Sequence, residues 1–151
     1  MTTLRAFLVA TAAAASVAAG CTSVDLGTPP ADVNACRPGQ QFFVDQIWPE
    51  VLDMDYSGKR CSNDGCHGPS TSTALRLVPV PPPPASGVVP VPLMGEWLSN
   101  YISVSENMQC TNVEGSALLL YPTNQVVHAG GKLFDRNSTE AGLIEMWVTQ
   151  P

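Results

Sequence analysis

Residues 79–92 read Pro-Val-Pro-Pro-Pro-Pro-Ala-Ser-Gly-Val-Val-Pro-Val-Pro, and no hydrogen-bonded ladder survives such a run. Each proline lacks the N–H that a helix or sheet needs, and its ring holds φ near about −65°. Polyproline II is predicted for this insert, as a stiff surface loop rather than a recognition ligand for another protein. The insert divides the chain, and on either side of it the apolar residues come only in short runs. Fourteen prolines and twelve glycines punctuate them. A modest core is expected, one that would benefit from a covalent staple or a large apolar cofactor.

The short runs have helical spacing. Residues 40–54 carry Phe43, Val44, Ile47, Trp48, Val51 and Leu52, close to the i, i+3, i+4, i+7 pattern of an amphipathic helix. Pro49 lies inside it and should kink it or start a second turn. Residues 95–104 predict a second helix with Trp97, Leu98, Tyr101 and Ile102 on one face. A brief apolar run follows at 116–121, then a glycine-containing loop at 126–131. The last helix is expected over 138–149, capped by Asn137 with Glu140 in a capping-box position, and burying Leu143, Ile144, Trp147 and Val148. Gly142 is expected to let that helix approach the first one closely, and Asn137-Ser138-Thr139 reads as cap chemistry rather than a glycosylation site. The fold class expected is mainly α: three to four short helices with long Pro/Gly-rich loops.

The N-terminus indicates export. Residues 1–20 have one basic residue, Arg5, an apolar alanine-rich stretch, and then Ala18-Ala19-Gly20 before Cys21. That is a secretory signal with a small-residue cleavage site, too short to remain as a membrane span. Ala-Ala-Gly-Cys resembles the lipobox of bacterial lipoproteins, which implies that Cys21 becomes the lipidated first residue of the mature chain. An ordinary cleaved signal that leaves Cys21 as a thiol is the alternative. Several acyl chains on one residue would anchor the protein stably to a membrane. Residues 21–39 then form a flexible tether, and residues 40–151 one small domain containing the 79–92 insert. The formal net charge of −6 becomes −7 once Arg5 is removed, which argues against nucleic acid as a partner and is compatible with a basic one.

The chemistry is concentrated in Cys61-Ser62-Asn63-Asp64-Gly65-Cys66-His67-Gly68. Two thiols followed directly by an imidazole are what a c-type haem requires: each cysteine forms a thioether and the histidine is the proximal iron ligand. Four residues separate the cysteines, against the usual two. Around this motif stand Gln46-Ile47-Trp48-Pro49-Glu50-Val51-Leu52, Gly115 to Pro122, His128-Ala129-Gly130-Gly131 and Ile144-Glu145-Met146-Trp147-Val148. In that order they resemble a bacterial c-type cytochrome domain, of the small planctomycete-type kind found in periplasmic and outer-membrane haem lipoproteins. The resemblance spans most of the mature chain. It implies first and last helices that cross, haem c in the cleft between them, and His128 in the slot of the distal ligand. Met94 and Met108 are the reserve ligands, and Met146 reads as core packing. The implied role is electron transfer with a redox partner protein at the cell envelope, not catalysis.

Five cysteines fit this scheme with Cys21 lipidated, Cys61 and Cys66 on haem, and Cys36 left to pair with Cys110 in an oxidising compartment. Parity equally allows two disulfides and no haem, as in a disulfide-stabilised structural lipoprotein. A third reading is a zinc-stabilised binding domain using Cys61, Cys66 and His67 with Cys36, Cys110 or His128. Asp53, Asp55 and Asp64 beside the motif read as solvated surface rather than an acid/base pair.

Overall fold

The computed structural model describes residues 37–82 and 87–149. Among them the chain is mainly helical and forms no β-strand. Cys21, Cys36 and the predicted signal and lipid site lie outside the described residues. The elements are α1 (Gln40–Phe42), a π-helix (Phe43–Leu52), α2 (Gly95–Ser105), a 3₁₀ turn (Val113–Gly115), α3 (Ala117–Leu120) and α4 (Thr139–Thr149).

Pro49 neither breaks nor ends the first helix; the chain runs through it in a wider coil. The proline ring would strike the carbonyl four residues back in an α-helix. Lengthening the ladder to i→i+5 moves that carbonyl aside, and Asp53 N–H donates to the Trp48 carbonyl at 2.9 Å in this register. The π-helix buries Phe43, Ile47, Trp48, Val51 and Leu52, as the spacing predicts.

The core is an aromatic cluster between the first and last helices. Trp147 of α4 lies 5.5 Å from the Phe43 ring and 6.1 Å from Tyr101 of α2, while Trp48 meets Trp97 edge-on at 5.5 Å. The polar tips of these rings are satisfied by main chain just ahead of α1: Trp147 Nε1 donates to the Gly39 carbonyl at 2.9 Å and Tyr101 Oη to the Pro38 carbonyl at 2.7 Å. The end of the predicted tether is thus tied into the domain.

Beyond Leu77, the described parts of the insert form neither helix nor strand. They are nevertheless anchored. Fully buried Asn100 of α2 accepts from Val78 N–H at 2.8 Å and donates to its carbonyl at 2.9 Å. Leu77, Val89 and Leu93 enter the core, and Leu93 N–H donates to Gln40 Oε1.

Several details depart from the periodicity. Ile102 is 45% exposed, and Val104 takes the buried position instead. Met146, expected in the core, is 46% exposed. The cap of α4 is Ser138, whose Oγ accepts from Ala141 N–H at 3.4 Å while its carbonyl accepts from Gly142 N–H at 3.1 Å. That shift takes Glu140 out of the capping-box position, and in the first turn it favours the positive end of the helix dipole. Gly142 faces open space, so it mediates no close helix contact.

Candidate functional site

The cysteine motif is a compact loop fastened to the end of the π-helix. Ser62 N–H donates to the Leu52 carbonyl and Ser62 Oγ to Asp53 Oδ1 at 2.7 Å. Within the loop, one carbonyl, that of Asn63, accepts from the amides of Cys66, His67 and Gly68. This coils the segment so tightly that a Cβ on Gly68 would overlap the main chain of Asp64. Gly68→Ala is therefore expected to cost about 1–3 kcal/mol, because rigid backbone must move. An unchanged denaturation midpoint would refute that account of Gly68.

Cys61 and Cys66 are free thiols, whereas Cys110 is disulfide-bonded. Cys36, its expected partner, lies outside the described residues. Cys61 is 5% exposed, with Sγ 3.9 Å from the Val51 carbonyl. Burial pushes its thiol pKa up to about 12, with the neighbouring Cys66 adding to the shift. It is protonated at neutral pH and inert as a free nucleophile.

His67 emerges from this loop half-buried. Its Nδ1 lies 3.0 Å from the Leu75 carbonyl and 3.1 Å from Thr73 Oγ1. Burial lowers its pKa; the Leu75 carbonyl opposes the shift and nearby His128 reinforces it. The ring is thereby held neutral, with the Nδ1 proton directed at main chain.

His128 sits on a loop that leaves α3 and is closed at its base by Leu133 N–H donating to the Pro122 carbonyl at 2.8 Å. Its Nδ1 lies 3.1 Å from the Gly131 carbonyl, the counterpart of the Leu75 contact at His67. Two glycines make this possible. Gly131 has φ +71°, in the left-handed region that glycine adopts freely. The His128 ring lies against Gly130, where a Cβ would stand 3.0 Å from Cε1.

The fold brings these two loops together. The His67 and His128 rings lie 6.0 Å apart, centre to centre, with their planes within 12° of parallel. Both line a cavity of about 290 Å³ whose walls are otherwise largely apolar: Ala74, Leu75, Ala117, Leu118, Tyr121 and Pro122. Cys61 lines it too, and no charged side chain does. A second, smaller cavity of about 20 Å³ is bordered by Cys61, Cys66, His67 and His128 together. Comparison with protein-family models, curated proteins and solved structures yields no match.

The donor set accordingly has to be judged by its own chemistry. The two rings are stacked with centres 6.0 Å apart, within the roughly 6 Å that two imidazoles sharing one metal at about 2 Å per nitrogen can span. With each Nδ1 placed to donate to a carbonyl, Nε2 is the nitrogen that the neutral ring would offer to a metal, and neither Nε2 has a hydrogen-bond partner among the described residues. Fixing the ligand's tautomer through its outer nitrogen is how proteins orient a metal-binding histidine. The free thiols beside the cavity and its apolar walls also suit a covalently held porphyrin. Tetrahedral zinc fits less well, since no group of three or more His, Cys, Asp or Glu side chains gathers around a point among the described residues.

The reserve ligands are elsewhere: Met94 is 75% exposed ahead of α2 and Met108 is packed in the core. Asp53 and Asp55 pair with Arg60 at the surface. Sequence reasoning passed over the groups that hold the rings, because two of them are backbone carbonyls and carry no side-chain signature. Thr73 and Tyr121 are side chains it could have weighed; the Tyr121 ring lies 6.1 Å from that of His128.

Proposed function

We propose that this protein is an exported, lipid-anchored c-type cytochrome that carries single electrons through one covalently bound haem. The observation that carries the reading is the His67–His128 pair, 6.0 Å apart and nearly parallel beside two free thiols. Cys61 and Cys66 would attach the haem, His67 would bind the iron on the proximal side and His128 on the distal side. Haem c supplies a one-electron couple. The chain's own residues orient the ligands, surround the site with a largely apolar wall and direct the Nδ1 of each imidazole at a backbone carbonyl. With His67 and His128 both holding the iron, no coordination position would be left for a substrate, so electron transfer is favoured over catalysis. A cytochrome c-like arrangement is supported by the packing of the π-helix against α4.

The lipid on Cys21 would hold the domain at the envelope, facing the periplasm or the outer surface, within reach of a redox partner protein. The uncharged cavity lining suggests that docking over this site is governed by shape and apolar contact more than by the chain's net acidity.

The test is expression of the full chain with haem-attachment machinery. A Soret band and a haem-sized mass increment that survives denaturation are expected. A colourless protein without the increment overturns the reading, in favour of a structural lipoprotein if mass spectrometry shows two disulfides.

A further inference from the structure

The loop bearing His128 and the loop bearing Cys61, Cys66 and His67 are distant in sequence, and among the described residues one side-chain hydrogen bond links the 128–131 loop to the turn just ahead of Cys61. Lys59 Nζ donates to the Gly130 carbonyl at 2.8 Å, across a separation of 71 residues. Nζ also lies where a Cβ on Gly131 would find it at 3.9 Å. The contact falls between the ring-bearing residue and the Gly131 carbonyl that fixes its tautomer.

The chain adopts unusual backbone geometry to place this lysine. Ser57 and Gly58, just before it, have φ of 59° and 86°. Two successive left-handed residues make the tightest kind of reversal, and one of them is not glycine. The turn is closed by Tyr56 N–H donating to the Lys59 carbonyl at 2.8 Å. A second tie runs alongside, the Tyr56 ring lying 5.7 Å from Phe134. Arg60, the adjacent cation, is engaged instead with Asp53 and Asp55.

We infer that Lys59 is a positioning residue: its bridge to Gly130 clamps the 128–131 loop over His67 and keeps His128 in place as the distal ligand. The inference rests on the proposed haem reading, but the clamp itself can be measured without it. The Gly131 amide, bonded to the His128 carbonyl at 2.8 Å, reports opening of the loop, and the Leu133 amide, bonded to Pro122, reports its base. The full chain, purified after expression with haem-attachment machinery, is compared as wild type, Lys59→Met and Lys59→Arg by amide hydrogen exchange and by electron paramagnetic resonance of the iron.

Lys59→Met is expected to raise exchange at Gly131 roughly tenfold, the scale of one charge-assisted hydrogen bond, with Leu133 unaffected. A high-spin iron fraction should appear as the distal ligand detaches, and Lys59→Arg should restore both signals. Unchanged Gly131 exchange in Lys59→Met overturns the clamp. Faster exchange with iron wholly low-spin overturns its role in holding the ligand. Equal acceleration at Gly131 and Leu133 makes Lys59 a general stabiliser and likewise overturns it. If the wild type carries no haem, the cytochrome reading fails, and the exchange comparison alone still decides whether the clamp exists.

Discussion

In the proposed haem-loaded protein, replacing His128 with alanine is expected to leave the iron with His67 as its one histidine ligand, with a high-spin signature, and to raise the reduction potential by on the order of 100 mV. The direction follows from ligand donation: a second neutral imidazole stabilises the ferric state more than the ferrous, and its loss removes that preference. The effect should be local. His128 lies on a loop whose base is closed by the Pro122–Leu133 hydrogen bond, and its ring contributes nothing to the aromatic core. Covalent haem should be retained through Cys61 and Cys66, and the denaturation midpoint should move little. Optical spectra and a redox titration check this directly. A variant with wild-type spectrum and potential would remove His128 from the iron and reopen the distal position to another residue. His67→Ala should be more damaging, because it removes the proposed ligand adjacent to the proposed attachment site and a ring anchored by both Thr73 and the Leu75 carbonyl.

How much of this was legible in the sequence depends on what each feature is made of. Side-chain periodicity foretold the buried faces of the π-helix and α4, because burial is a property of side chains and repeats with the helix. It misjudged Ile102 and Met146, at the margins of their faces, where a small rotation decides between core and solvent. It missed the response of the first helix to Pro49, since a wider coil and a break remove the same hydrogen bond and leave the same sequence pattern. It named Asn137 as the cap of α4 where Ser138 serves, an ambiguity built into two consecutive cap-forming residues. The two histidines were identifiable as candidates because the chain has only two. Their near-parallel approach, the carbonyls that set their tautomers and the Lys59 bridge were not. Those depend on main chain and on contacts between residues more than sixty positions apart, which local spacing does not encode.

Trp147→Ala is expected to destabilise the domain by about 3–5 kcal/mol, the usual range for emptying a large buried aromatic site. The position is fully buried, and three separate interactions end there: the Phe43 ring, the Tyr101 ring and the Gly39 carbonyl. A small domain has only about 5–15 kcal/mol in total, so the loss approaches the whole margin. The consequence should reach the site along the π-helix. Phe43 packs on Trp147 at one end of that helix, while Val51 and Leu52 at the other hold Cys61 and Ser62. Loosening α4 therefore releases the frame from which the cysteine loop hangs, and haem retention should fall with stability. Trp147→Phe separates the contributions: the ring contacts largely remain, while the indole hydrogen bond is lost and the Gly39 carbonyl keeps only the Phe43 amide as its donor. A cost of about 0.5–1.5 kcal/mol is expected for the lost hydrogen bond in that variant. Denaturant unfolding of both variants tests the ordering. If Trp147→Ala costs no more than Trp147→Phe, the aromatic cluster is not what joins the first and last helices, and the packing that supports the site must lie elsewhere.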